Sequence, residues 1–150
     1  MYTQVSEVAE LDWRWVEERL AESGTYWVSA ADDGEFPHPR PVWGVWDGAE
    51  LLLSLGSPIV NRALDANPRV TVHLESGTEV VLVEGRASIG DDDATLGRFL
   101  SAYDRKYDWK YDATEYGPPR VVHPRRVFAW RTAGFAGRDG FREVGKWTFD

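Results

Sequence analysis

The chain contains no cysteine. That excludes disulfides, thiolate metal sites and a thiol nucleophile, and it suits a reducing compartment such as the cytoplasm. Basic residues are outnumbered: Lys and Arg total 17 against 25 Asp and Glu, for a formal charge of −8. A protein that grips a phosphate backbone needs a basic surface, so nucleic acid is not an expected partner. A small anion held in one local basic pocket stays compatible with that balance. No stretch approaches the ~20 apolar residues of a membrane span. The opening MYTQVSEVAELDW is acidic and lacks the charged and apolar regions of a signal peptide, so no membrane partner is expected. There is no Walker loop and no G-x-G-x-x-G. Ser29, Ser54 and Ser57 stand outside any G-x-S-x-G elbow. His38, His73 and His123 fall on three different segments without metal-ligand spacing, so no metal is expected.

What is present fits one domain over residues 1–150, long enough to bury a core. Eight tryptophans is a high number for this length. Aromatic faces fill cores and interfaces first and stack on flat ligands second.

Ser6–Glu22 reads as an amphipathic helix, with Ser6 as cap and Leu11, Trp15, Val16 and Leu20 at helical spacing. Thr25–Ala31 reads as a strand, followed by a turn at Asp32–Glu35. Late in the chain, Gly90–Asp93 is a loop and helix cap, and a helix spans about Asp93 to Tyr107. Its apolar stripe is Leu96, Phe99, Leu100, Tyr103 and Tyr107. Asp108–Pro119 reads as a loop, Val121-Val122 and Val127–Trp130 as two strands, and the Gly-rich Ala133–Val144 as a flexible excursion.

Between these lies the stretch that organises the rest, Pro37–Ala87. Arg40–Trp46 is rich in β-formers, and Asp47-Gly48 signals a two-residue hairpin. Leu51–Leu55 is an apolar run too short for a typical helix. Ser57-Pro58 opens a short helix that Asn67-Pro68 stops. Val70, Val72 and Leu74 alternate with polar residues, the period-two pattern of a half-buried strand. Val80–Glu84 leads back, with Gly85 as a bulge or close-approach point. The expectation is a mainly β fold: an antiparallel meander that closes into a small β-barrel with flanking helices.

Arg40-Pro41-Val42-Trp43, Leu53-Ser54, Ser57–Leu64, Ala66–Val70 and Val80–Gly85, in this order and spacing, resemble the pyridoxamine 5′-phosphate oxidase-like family of split-barrel flavin binders. The resemblance implies a split β-barrel of the FMN-binding type that works as a homodimer. It implies an oxidoreductase that holds FMN or the deazaflavin coenzyme F-420 and passes hydride to an unknown small molecule. The site residues it implies are Arg40, Val42, Trp43, Ser54, Ser57, Asn61 and Arg62, with Lys146 and Trp147 from the C-terminal segment. Trp43, Trp130 or Trp147 would wall the ring. One position departs from the pattern. Where the family usually carries an Arg-Lys pair at the helix start, this chain reads Ile59-Val60. Pyridoxamine phosphate oxidase activity itself is therefore not expected. Arg62, Arg40, Lys146 and Arg69 are the cations that could substitute. The competing readings are a non-catalytic module that binds or shuttles a flavin, haem or another flat cofactor, and a structural dimer with an empty groove.

Overall fold

The computed structural model describes residues 9–32, 34–133, 138 and 140–150. Its elements in chain order are β1 (Ala9–Glu10), α1 (Trp13–Glu22), β2 (Tyr26–Ala30), β3 (His38–Val42), β4 (Gly44–Trp46), β5 (Leu51–Leu53) and α2 (Pro58–Ala66). There follow β6 (Arg69–His73), β7 (Glu79–Ile89), α3 (Asp93–Tyr107), α4 (Ala113–Tyr116), β8 (Arg120–Thr132) and β9 (Phe141–Thr148). The expected β-rich fold is present.

The strand pairings trace a ring. β2 pairs β3, β3 runs on through Trp43 into β4, and β4 pairs β5; β5 pairs β8, β8 pairs β7, β7 pairs β6, and β6 returns to β2. This is a barrel whose one unladdered seam is bridged by the chain itself at Trp43. The C-terminal half of β8 also pairs β9, and β9 carries β1 parallel to it outside the ring.

The sequence-based meander is corrected in one respect. β5 and β6 are consecutive strands but not neighbours: β5 lies against β8 and β6 against β2. α2 stands between them in the chain and carries it across the barrel. Arg40–Trp46 is likewise two strands with different partners, broken at Trp43. Val121-Val122 and Val127–Trp130 merge into the single strand β8. The expected excursion at Ala133–Val144 overlaps β9, which begins at Phe141; residues 134–137 and 139 lie outside the described residues, as does Ser6. α1 starts later than expected, because Asp12 is the cap that accepts the Arg14 N–H at 3.0 Å. The expected loop at Asp108–Pro119 holds the one-turn helix α4.

Two cores explain the apolar pattern. Inside the barrel, Val28, Leu51, Leu53, Val72, Val83 and Val127 meet Val16 and Leu20 of α1 and Val60 and Leu64 of α2. Outside it, α3 lays Phe99 and Tyr103 on Val45, Leu52 and Val121. Leu51-Leu52-Leu53 is a continuous apolar run because this strand is covered on both faces. Gly85 sits at a register shift between β7 and β8. A β-carbon there would lie 2.4 Å from the His123 carbonyl oxygen.

β3 is the last strand of its ladder, and prolines occupy two of its five positions, Pro39 and Pro41. They face Ser29 and Trp27, alternating with the Arg40–Val28 pair. A proline has no N–H to give a ladder. The hydrogen-bonded pairs are therefore those of His38, Arg40 and Val42, and the carbonyls of Pro39 and Pro41 point to the open edge. The Arg40 guanidinium donates to the Pro39 carbonyl at 2.8 Å, as this requires.

Candidate functional site

The seam of the barrel is the place where the chain leaves polar backbone uncovered. As β3 ends, Trp43 departs from the ladder. Its carbonyl is taken by the Ser54 N–H at 2.9 Å. The Gly44 N–H goes to the Tyr107 hydroxyl at 3.0 Å, and the Gly44 carbonyl accepts from Lys106 Nζ at 2.8 Å. The Trp43 N–H has no partner among the described residues. Beside it stand the edge-facing Pro41 carbonyl and the Trp43 indole, 46% exposed. The indole is held flat on Tyr107, with centroids 4.5 Å apart and planes 5° from parallel. The corner thus offers one donor, one acceptor and a fixed aromatic face.

The loop from β5 to α2 packs against this corner through Ser54. Ser57 caps α2 and accepts the Val60 N–H at 3.4 Å. The Asn61 N–H goes to the Ser57 carbonyl, and Pro58 has no N–H. This leaves the Ile59 N–H as the donor of the first turn, together with the favourable end of the helix dipole. Val60 is fully buried in the barrel, and Ile59 packs against the same core.

The nine sequence-derived site residues are distributed as follows. Arg40, Val42, Trp43, Ser54 and Ser57 line or adjoin the seam. Asn61 is bound internally: its amide nitrogen donates to the carbonyls of Leu55 (2.7 Å) and Ser57 (3.1 Å), and its oxygen accepts from Arg120 Nε at 2.9 Å. Arg62 is exposed on α2. Lys146 and Trp147 are on β9, where Lys146 lies over the Phe128 ring and Trp147 packs on Trp13, centroids 5.2 Å apart. Within this chain, Trp43, Trp130 and Trp147 fall in three separate aromatic groups.

Two features at the corner were not expected. Arg120, almost fully buried, reaches α2 from β8 and pairs with Asp65 at 2.8 Å. Behind Trp43, the Lys106 ammonium is half-buried and also donates to the Tyr26 hydroxyl at 2.8 Å. It lies over the rings of Tyr26 and Tyr107 at 4.7 and 5.2 Å. Burial pushes its pKa down to about 8. Burial also pushes Tyr103 up to about 12, helped by neighbouring tyrosines, and raises Tyr26. Only the density of tyrosines in Tyr103–Tyr116 hinted at this cluster.

A pH dependence follows. Between pH 8 and 10.5 the unfolded chain keeps a proton on Lys106 that the folded chain has released. Stability therefore rises with pH across that window. Above pH 10 the sign reverses, because the unfolded tyrosines ionise while folded Tyr26 and Tyr103 hold their protons. Thermal midpoints measured from pH 7 to 11 should pass through a maximum near the top of the lysine window. Lys106→Met should remove the rising limb and keep the falling one.

No group of three or more His, Cys, Asp or Glu that could hold a metal exists among the described residues. Nor does the corner pair a nucleophile with a base.

The family model for pyridoxamine 5′-phosphate oxidase matches residues 14–134. The chain belongs to that family. No curated relative matches it in sequence. Among solved structures, it is similar to a conserved hypothetical protein from Mycobacterium tuberculosis at 22% identity and a TM-score of 0.66. That match covers 86% of this chain and 89% of the other. It is similar to an FAD-binding protein from Mesorhizobium loti at 21% identity and a TM-score of 0.62, covering 78% and 92%. It is similar to an F-420 reductase at 20% identity and a TM-score of 0.55, covering 73% and 94%. At these identities the likeness is one of fold, and it makes the barrel a split barrel of the pyridoxamine 5′-phosphate oxidase type. No described helix is long and apolar enough to cross a membrane.

Proposed function

We propose that this member of the pyridoxamine 5′-phosphate oxidase family binds a flavin-type cofactor, FMN or coenzyme F-420, and serves as an oxidoreductase. The observation that carries the reading is the seam at Trp43. An unpartnered N–H, an edge-facing carbonyl and a clamped aromatic face converge beside the N-terminus of α2. A flavin or deazaflavin ring presents complementary acceptors and donors along one edge, and its phosphate suits a helix N-terminus. The cofactor supplies hydride chemistry when bound. Trp43 and Pro41 orient the ring edge, Ser57 and Ile59 face the phosphate, and the Trp43–Tyr107 stack keeps water from one face. FAD and F-420 in the names of similar folds support this class of ligand.

The working unit in this reading is a homodimer. The outer face of the sheet carries Trp27 stacked on His73, then Leu82 and Phe128 in register across β2, β6, β7 and β8. All four side chains are half-buried rather than buried. A second copy seated there would bring its own residues toward the seam.

A non-catalytic carrier is the second reading, favoured by one observation. The helix start supplies no cation at Ile59-Val60 and Arg120 is paired with Asp65, which leaves the exposed Arg62 as the cation on α2 itself. Fluorescence titration with FMN and, separately, with F-420 tests both readings. Binding of one, weakened by Trp43→Ala and followed by turnover with a hydride donor, supports the oxidoreductase. Binding without turnover across donors supports the carrier. Binding of neither at tens of micromolar overturns both.

A further inference from the structure

We propose that the outer face of the barrel carries a second binding site, for a small organic molecule with two or more phosphate or carboxylate groups. The site is a groove of about 510 Å³ at the β7 bulge, lined by Arg69, Arg86, Arg125 and Arg126 together with Ser29 and Thr71. It opens beside Asn67, the C-cap of α2, whereas the Trp43 corner lies at the other end of that helix. Nine residues of helix separate the two by about 13 Å.

The arrangement of charge is the argument. Arg69 and Arg86 are direct cross-strand partners in the β6–β7 ladder. Like charges placed opposite each other destabilise a sheet. The β7–β8 bulge then adds Arg125, because Gly85 pairs Pro124 while Glu84 pairs Arg126. Only Arg126 has a carboxylate: Glu84 lies 2.8 Å away, an ion pair outside hydrogen-bond alignment. Arg69, Arg86 and Arg125 have no acidic partner within ion-pair distance among the described residues. In a chain with 25 acidic residues and a charge of −8, this is an unusual concentration of unneutralised guanidinium. The groove lining carries a local charge of +3.

Guanidinium forks match phosphate and carboxylate oxygens in pairs. Three unneutralised ones set the ligand's charge at two or more. The Ser29 and Thr71 hydroxyls add neutral donors, and the volume exceeds that of inorganic phosphate. The negative remainder of the surface confines the attraction to this groove and disfavours an extended polyanion. The groove continues the outer face of β2, β6, β7 and β8 one row beyond Trp27, His73, Leu82 and Phe128, so it lies next to the row that a second copy would cover in the homodimer of the cofactor reading.

Calorimetry at low ionic strength tests it, with pyrophosphate as the phosphate probe and tricarballylate as the carboxylate probe. One of the two should bind at 1:1 with a dissociation constant below about 1 mM. The tighter probe names the chemistry. Arg69→Gln/Arg86→Gln should weaken binding about ten-fold or more, and Arg105→Gln, on exposed α3, should leave it unchanged. The Arg86→Gln variant should also melt higher than wild type without ligand, because it relieves the cross-strand repulsion. Pyrophosphate should raise the wild-type midpoint and leave that of the double variant in place. Absence of saturable binding by both probes, an equal loss in Arg105→Gln, or a lower midpoint in Arg86→Gln overturns the proposal.

Discussion

Val60→Lys should unfold the protein or leave it marginal, and Ile59→Lys, one residue away, should leave it folded. Val60 is fully buried among the barrel side chains. An ammonium there would be set into an apolar cluster, and an uncompensated buried charge costs about 3–5 kcal/mol. That is a large share of the ~5–15 kcal/mol that holds an ordinary domain together. Ile59 is only partly buried, so a lysine can lay its stem on the core and carry its charge to water. It would then stand beside the free N–H of the first turn. Under the cofactor reading, Ile59→Lys should tighten FMN or F-420 about ten-fold, the worth of one charge-assisted hydrogen bond. Urea midpoints separate the two variants, and fluorescence titration measures the gain. An unchanged midpoint for Val60→Lys would show that α2 does not seat its inward face in the barrel.

Gly85→Val should be the most damaging single change in the sheet. The added β-carbon meets the His123 carbonyl oxygen at 2.4 Å and its carbon at 3.0 Å. Both are backbone atoms of the paired strand, so relief requires β7 and β8 to separate. Overpacking of a well-filled site costs about 1–3 kcal/mol, occasionally more, and a clash with backbone belongs at the upper end. A fall in the thermal midpoint of roughly 10 °C is expected. The same substitution also moves Glu84 and Arg86, which flank the bulge. A midpoint within a degree or two of wild type would mean that the bulge relaxes freely.

The residues that spoke most clearly in the sequence were those with local rules. Ser57-Pro58 and Asp92 cap their helices where expected, and the alternation of Val70 and Val72 points them inward. Gly85 read as a close approach and is one. What local rules do not encode is which distant strand becomes a neighbour. Leu51–Leu53 and Arg69–His73 are near in sequence, so a meander was expected, but α2 diverts the chain and each finds another partner. The reason for glycine at position 145 shows only in the fold: a β-carbon there would meet the Trp147 ring at 2.2 Å, so its smallness makes room for a packed indole. Pro124 concealed the continuity of β8, yet it keeps its place in the ladder opposite Gly85, next to the bulged Arg125.

For the candidate site, the sequence marked Trp43 and Ser54 by resemblance, and the fold sets them against each other. Lys106 and Tyr107 were invisible as site residues, since Tyr107 looked like one more member of an apolar stripe. The arginine groove was equally hidden. Arg69 and Arg86 are far apart in the chain, and only the β6–β7 register makes them partners.

The two prolines of β3 have a consequence beyond the barrel. An exposed strand edge is a template on which another chain can polymerise, and such growth needs donors as well as acceptors. At Pro39 and Pro41 this edge shows carbonyls alone. A docking strand would find no N–H at alternate rungs, so filament growth and strand swapping are blocked there. A small planar molecule that needs a single acceptor is not blocked. The same two residues guard the edge against aggregation and leave it usable as a binding surface.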